Sequence, residues 1–103
     1  MAVKTIAGAQ VNVNDEGYLE NMNEWNEDIA KEIAKELDID LTDKHFAVLN
    51  YLREKTKEGE ALTIRKVGNS GIVNIKELYQ LFPKGPLKFS SKIAGIPKPT
   101  SCV

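Results

Sequence analysis

The chain has 103 residues, of which 42% are hydrophobic and 28% charged, and its formal net charge is −1. That balance suits one globular domain and excludes a membrane-spanning helix, because no apolar run approaches the ~20 residues a span needs. One Cys and one His leave no basis for an internal disulfide or a dedicated zinc site, and no metal or cofactor is expected.

The opening Met1-Ala2-Val3-Lys4 leads into no apolar stretch, so no secretory leader is expected and the expected location is cytoplasmic. Residues 3–6 and 10–13 are short β-favouring runs around Ala7-Gly8-Ala9, which predict an N-terminal hairpin. A lone hairpin is marginal, so it must pack on the helices that follow. Asp15-Glu16-Gly17 turns the chain again before Tyr18-Leu19.

Asn26, followed by Glu27 and Asp28, reads as the start of a helix whose apolar face is Ile29, Ala30, Ile33, Ala34 and Leu37. Thr42 caps the next helix, with Leu41 and Phe46 spaced as a hydrophobic staple. Its inner face combines Phe46, Leu49 and Leu52 with Val48 or Tyr51, and Gly59 stops it. Trp25 is expected to cover the core with its indole edge at the surface. His45 reads as a surface or capping residue without a catalytic partner.

From Leu62 the elements shorten. Thr63 caps a turn through Val67, and Asn69-Ser70-Gly71 bends the chain. Asn74 with Glu77 resembles a capping box for a helix carrying Ile75, Leu78, Tyr79 and Phe82, limited by Pro83. Gly85-Pro86 opens the last helix, with Leu87, Ile93 and Ala94 facing inward, and Gly95 ends it ahead of Pro97. The fold class expected is α+β, mainly α: a small bundle of about five helices, with helix-turn-helix character in 62–82, an N-terminal β-hairpin and a flexible C-terminal arm. The domain boundaries expected are 1–96 for the body and 97–103 for the arm.

Charge is unevenly spread. Residues 1–60 hold seven Lys/Arg against fourteen Asp/Glu. Residues 61–103 hold Arg65, Lys66, Lys76, Lys84, Lys88, Lys92 and Lys98 against Glu77 alone. Such a field steers partners toward one end of the molecule. Arg65, Lys66, Lys92 and Lys98 are candidates for partner docking or anion contact; the competing reading is solvated surface. The 62–82 segment also reads as a DNA-binding helix-turn-helix. Its second helix offers only Asn74, Lys76 and Gln80 as readers, so direct nucleic-acid binding is not expected.

The only cysteine, Cys102, is the second-to-last residue, at the end of Gly95-Ile96-Pro97-Lys98-Pro99-Thr100-Ser101-Cys102-Val103. Proline and glycine keep this stretch out of a helix or central strand. Seven residues beyond Gly95 at ~3.6 Å each let the sulfur reach roughly 25 Å. A free thiol with pKa ~8.5 is only about 3% thiolate at pH 7. The Val103 carboxylate, ~6 Å away, costs the thiolate about 0.7 kcal/mol in water. Lys98, ~13 Å back if extended, lies beyond a Debye length and helps little. Reactivity must therefore come from a partner's pocket, or from the arm folding back toward Arg65. An enzyme holds its nucleophile rigidly; this pattern suits a stoichiometric carrier better than a self-contained catalyst.

The runs Leu81-Phe82-Pro83-Lys84-Gly85-Pro86 and Lys92-Ile93-Ala94-Gly95-Ile96-Pro97-Lys98-Pro99, then the penultimate Cys102, resemble the C-terminal signature of the DsrC/TusE family. Asp15-Glu16-Gly17-Tyr18-Leu19, Trp25 and the stretch around His45 also match family positions, so the resemblance spans essentially the whole chain. It implies a small helical domain with a hairpin and a mobile arm, and a persulfide carried on Cys102 with sulfurtransferase-type chemistry. Members that serve dissimilatory sulfite reductase have a second cysteine on the last helix, and here that position is Ser91. A hydroxyl forms no S–S bond, so the resemblance is to the single-cysteine, TusE-like branch. It implies a TusBCD-like or DsrEFH-like complex as sulfur donor and the thiouridylase of tRNA wobble uridine as acceptor. The alternatives are a DsrC-like, gamma-subunit-like partner of sulfite reductase and, from another class, a DNA-binding regulator. A monomer is expected, able to form a disulfide dimer through Cys102.

Overall fold

The computed structural model describes residues 2–98, and the chain folds in the order of two strands followed by five helices. Strands β1 (Ala2–Ile6) and β2 (Ala9–Val13) pair antiparallel, from Ala2↔Val13 to Ile6↔Ala9. The two linking residues both have positive φ, Ala7 at 52° and Gly8 at 80°. That is the backbone of a primed hairpin turn, whose twist matches the strands it joins. Ile6, Val11 and Val13 are buried against the helices, which answers the marginal stability of an isolated hairpin. A bridge from Val13 to Leu19 continues the pairing past the Asp15-Glu16-Gly17 turn. The Asn14 side-chain oxygen accepts from the Glu16 and Tyr18 amides there.

A 3-10 turn at Met22–Glu24 is capped by Asn21 and tied back to β2 by the Glu24 carboxylate, which accepts from the Asn12 amide at 2.9 Å. Helix α1 (Glu27–Glu36) starts where Asn26 accepts from the Ile29 amide, and it buries Ile29, Ala30, Ile33 and Ala34. Helix α2 (Asp43–Lys57) is capped by Thr42 and buries His45, Val48, Leu49 and Leu52. The inner face therefore takes Val48, and Phe46 and Tyr51 are half-buried at its margin.

Helix α3 (Ile64–Gly68) is capped by Thr63, and α4 (Ile75–Leu81) by a reciprocal Asn74–Glu77 box. Leu78 and Phe82 go inward, whereas Ile75 and Tyr79 are exposed. Helix α5 (Pro86–Ile93) packs against α1, α2 and α4. Among the described residues no side chain caps its start at Gly85, a loss of about a few tenths of a kcal/mol. Full burial of Leu87 and Ile93 at about 1.5–3 kcal/mol each outweighs that. Among the described residues no helix is long and apolar enough to cross a membrane.

Candidate functional site at the base of the arm

The end of α5 leaves no carbonyl unpartnered from Ser90 to Ala94. Ser90 O accepts from the Ala94 amide, Lys92 O from Gly95, and Ser91 O from Ile96 at 3.2 Å. The last two bonds are those of a Schellman stop, with Gly95 at φ +70° as its left-handed residue. Two side chains from distant parts of the chain take the remaining acceptors. The indole Nε1 of Trp25 donates to Ile93 O at 2.8 Å, and Nη1 of Arg53 donates to Ala94 O at 2.9 Å. Nη2 of Arg53 donates to Met22 O, also at 2.9 Å. The guanidinium lies 4.3 Å from the centre of the Trp25 ring, a cation–π stack. Partial burial pushes the Arg53 pKa below its ordinary value.

Gly95 is pressed against Trp25. A Cβ at this position would stand 2.5 Å from Cδ1 of the indole. Ile96, the next residue, is fully buried, whereas Pro97 and Lys98 are exposed. Ile96, Pro97 and Lys98 line a cleft of about 170 Å³ together with Thr56, Glu60, Ala61 and Leu62.

The basic candidates divide between two acidic groups. Lys98 Nζ lies 2.9 Å from Oε2 of Glu16, and Lys88 and Lys92 add their field to the same carboxylate. The hydrogen bond from Lys98 holds the Glu16 pKa below the usual carboxylate range. Lys92 lies along Gly17 and over the Tyr18 ring, whose hydroxyl donates to Lys88 O. On the other flank, Lys66 pairs with Glu60 at 2.6 Å and so borders the cleft. Lys66 and Lys55 hold the Glu60 carboxyl down at about 2. Arg65, on α3, is exposed. The acidic turn after β2 thus meets the basic end of the chain, a pairing that charge segregation alone did not disclose.

Ser91 is fully buried in α5, and its Oγ has no hydrogen-bond partner among the described residues. Such a hydroxyl carries a desolvation cost that an apolar atom or a thiol of similar size escapes. Cys102 and the outer part of the 97–103 arm lie outside the described residues.

His45 corrects one expectation: it caps, but it is buried. Its Nδ1 accepts from the Thr42 amide at 3.1 Å, and its Nε2 pairs with Leu81 O at 2.9 Å. The ring meets Phe82 edge-on at 5.1 Å. Nδ1 thus closes the cap of α2, and Nε2 joins α2 to the end of α4. Trp25 is half-buried with its ring over the core, as expected. Its bond to Ile93 and the whole role of Arg53 carried no signal in the sequence, because both partners are backbone carbonyls.

A sequence model of the family described as "DsrC like protein" matches residues 5–103. Sulfurtransferase TusE of Photorhabdus laumondii is 36% identical, with all of both chains covered. Sulfurtransferase TusE of Escherichia coli is 34% identical, over 93% of this chain and 95% of the relative. Among solved structures, the NMR structure of Allochromatium vinosum DsrC superposes with a TM-score of 0.84 at 39% identity, covering 99% of this chain and 100% of the other. The oxidized gamma-subunit of the dissimilatory sulfite reductase, DsrC, from Archaeoglobus fulgidus gives 0.81 at 32% identity with the same coverage.

Proposed function

From the premise that this chain belongs to the DsrC-like family, we propose that it is a sulfur carrier in a cytoplasmic sulfur relay, with Cys102 as the carrying thiol. In the proposed step the Cys102 thiolate attacks the outer sulfur of a donor persulfide. A new S–S bond forms to Cys102 as the donor's S–S bond breaks, and the donor leaves as its thiolate. The step is a transfer of sulfane sulfur and needs no outside oxidant. Delivery to the acceptor repeats it with the roles reversed.

The observation that carries this reading is the family match itself, which runs to residue 103 and therefore takes in Cys102. Relatives similar along their whole length are named sulfurtransferases. The geometry is consistent with a body that presents an arm: the chain is held firmly as far as Ile96 and is exposed at Pro97 and Lys98. Lys92 and Lys98, with Lys66 beside Glu60 at the cleft and exposed Arg65 on α3, are the proposed contacts for donor and acceptor proteins. The donor proposed is a TusBCD-like or DsrEFH-like complex, and the acceptor a tRNA thiouridylase.

A second reading, a partner of sulfite reductase, is favoured by the resemblance to the Archaeoglobus gamma-subunit. Ser91 weighs against a two-thiol cycle in that role. The DNA-binding reading has less support, since α4 is only seven residues long and exposes Ile75 and Tyr79.

Incubation with a persulfidated donor protein followed by intact-mass measurement tests the carrier. The wild-type chain gains one sulfur atom and Cys102→Ser gains none. An unchanged wild-type mass with several competent donors overturns the reading.

A further inference from the structure

We infer that Arg53 and Trp25 are positioning residues for the carrier thiol, which act by fixing the direction in which the chain leaves α5. The inference deepens the carrier reading and rests on it for its functional meaning. A helix that ends at the surface can leave its last carbonyls to water. This one ends among buried residues, Ala94, Gly95 and Ile96, where each acceptor needs a protein partner. Backbone amides at the helix end supply three of the five. Trp25 and Arg53 supply the other two, from 68 and 41 residues away in sequence.

The two side chains form one unit, because the guanidinium lies over the indole. Arg53 also holds Met22 O, which fastens the 3-10 turn to the same point. A planar fork is well matched to this double contact. Two N–H groups of one guanidinium reach carbonyls of two different segments, and a lysine ammonium lacks that rigid geometry. The indole then fills the space in which a side chain at residue 95 would sit, so that only glycine fits. With Gly95 restricted at one side by the ring and Ile96 anchored in the core, the exit vector of the arm has little freedom at its root. In the carrier reading, the volume that a thiol at residue 102 can sweep is centred on that vector, so a looser root spreads it.

The test uses the full chain with one nitroxide on Cys102 and another on a cysteine replacing Lys31, an exposed residue of α1, and reads the distance distribution by pulsed dipolar spectroscopy. Trp25→Phe removes the indole donor and keeps a ring; Arg53→Gln removes the fork and the charge. In each, the distribution is expected to widen by about half while the helical circular dichroism is retained. Arg53→Lys, able to reach only one carbonyl at a time, falls between wild type and Arg53→Gln. Unchanged distributions in folded Trp25→Phe and Arg53→Lys proteins overturn the inference and leave both residues as structural supports only. If Arg53→Gln does not fold, the other two variants decide. The distance measurement involves no sulfur transfer, so a failed sulfur uptake by wild-type protein counts against the carrier reading and not against the positioning role.

Discussion

The ammonium of Lys98 lies within hydrogen-bonding distance of both carboxylate oxygens of Glu16, at 3.1 and 2.9 Å, which links the root of the arm to the turn after β2. Both side chains remain substantially exposed, so the pair is screened by salt and contributes little to global stability. Glu16→Gln is expected to leave the thermal midpoint nearly unchanged and to abolish any salt dependence of the exchange of the Ile96 and Lys98 amides. Deletion of Lys98–Val103 is likewise expected to shift stability by no more than about 0.5 kcal/mol, because Ile96 is the last buried residue described. A large fall in the midpoint on either change would contradict this.

Gly95→Ala and Gly59→Ala form a matched pair. Both glycines have positive φ, 70° and 80°, which costs an alanine about 1–2 kcal/mol. Around Gly59 a new methyl meets nothing within 4 Å, but at Gly95 it meets Trp25. Gly95→Ala is therefore expected to cost at least about 1–3 kcal/mol more than Gly59→Ala in urea unfolding. Equal losses would show that the indole yields freely.

Ser91→Ala is expected to stabilise the protein by about 1 kcal/mol, since the variant no longer buries a hydroxyl without a partner among the described residues. Ser91→Cys is expected to be tolerated, a thiol behaving as a small apolar group. Mild oxidation of the wild-type chain should give only a dimer through Cys102, reversed by dithiothreitol. Ser91→Cys should give mainly an internal disulfide, seen as a faster-migrating monomer that has lost about two hydrogens in mass. Dimers alone from Ser91→Cys would mean that the arm does not reach α5.

His45→Ala removes a cap acceptor, a bond to Leu81 O and an aromatic contact together. A loss of about 3 kcal/mol is expected. Chemical denaturation of the full chain measures it, and a change under about 1 kcal/mol would mean that the α2–α4 junction is held by other contacts.

Glu60 predicts an acid-sensitive element. Its carboxyl is lowered from the ordinary 4.5 to about 2, first by the hydrogen bond with Lys66. A depressed carboxyl supports the folded state above its unfolded pKa, and that support fades as pH falls through the folded pKa. The Glu60 contribution is thus present above pH 4.5 and lost on approach to about 2. Glu60→Gln should flatten the stability curve in that window alone, and an unaltered curve would refute the assignment.

The elements legible in the sequence are those built by neighbours. Asn26, Thr42, Thr63 and Asn74 each cap an amide three residues ahead, so their type and spacing announce the helix start. The Gly95 and Ile96 amides end α5 by bonding to carbonyls three and five positions back, respectively, and Ala7-Gly8 turns the hairpin within itself. The site was legible only where it is local. Lys98 finds Glu16 across 82 residues, and Arg53 finds Ala94 across 41. Any carboxylate or carbonyl answers the same charge or donor, so residue type cannot single out the partner. The burial of His45 was hidden for a related reason: it follows from the meeting of α2 with Leu81 and Phe82, a packing fact with no period in the chain.

Trp25 is the single tryptophan of the protein, and its ring borders Gly95 while its N–H holds Ile93 O. Ultraviolet emission excited selectively at tryptophan thus originates at one spot, the C-terminal end of α5. Arg53 places a cation over that chromophore, so an event that shifts the guanidinium changes the field on the excited state. The unlabelled protein therefore carries its own optical probe of changes at the end of α5, and titration with a proposed donor or acceptor protein has a native signal to follow.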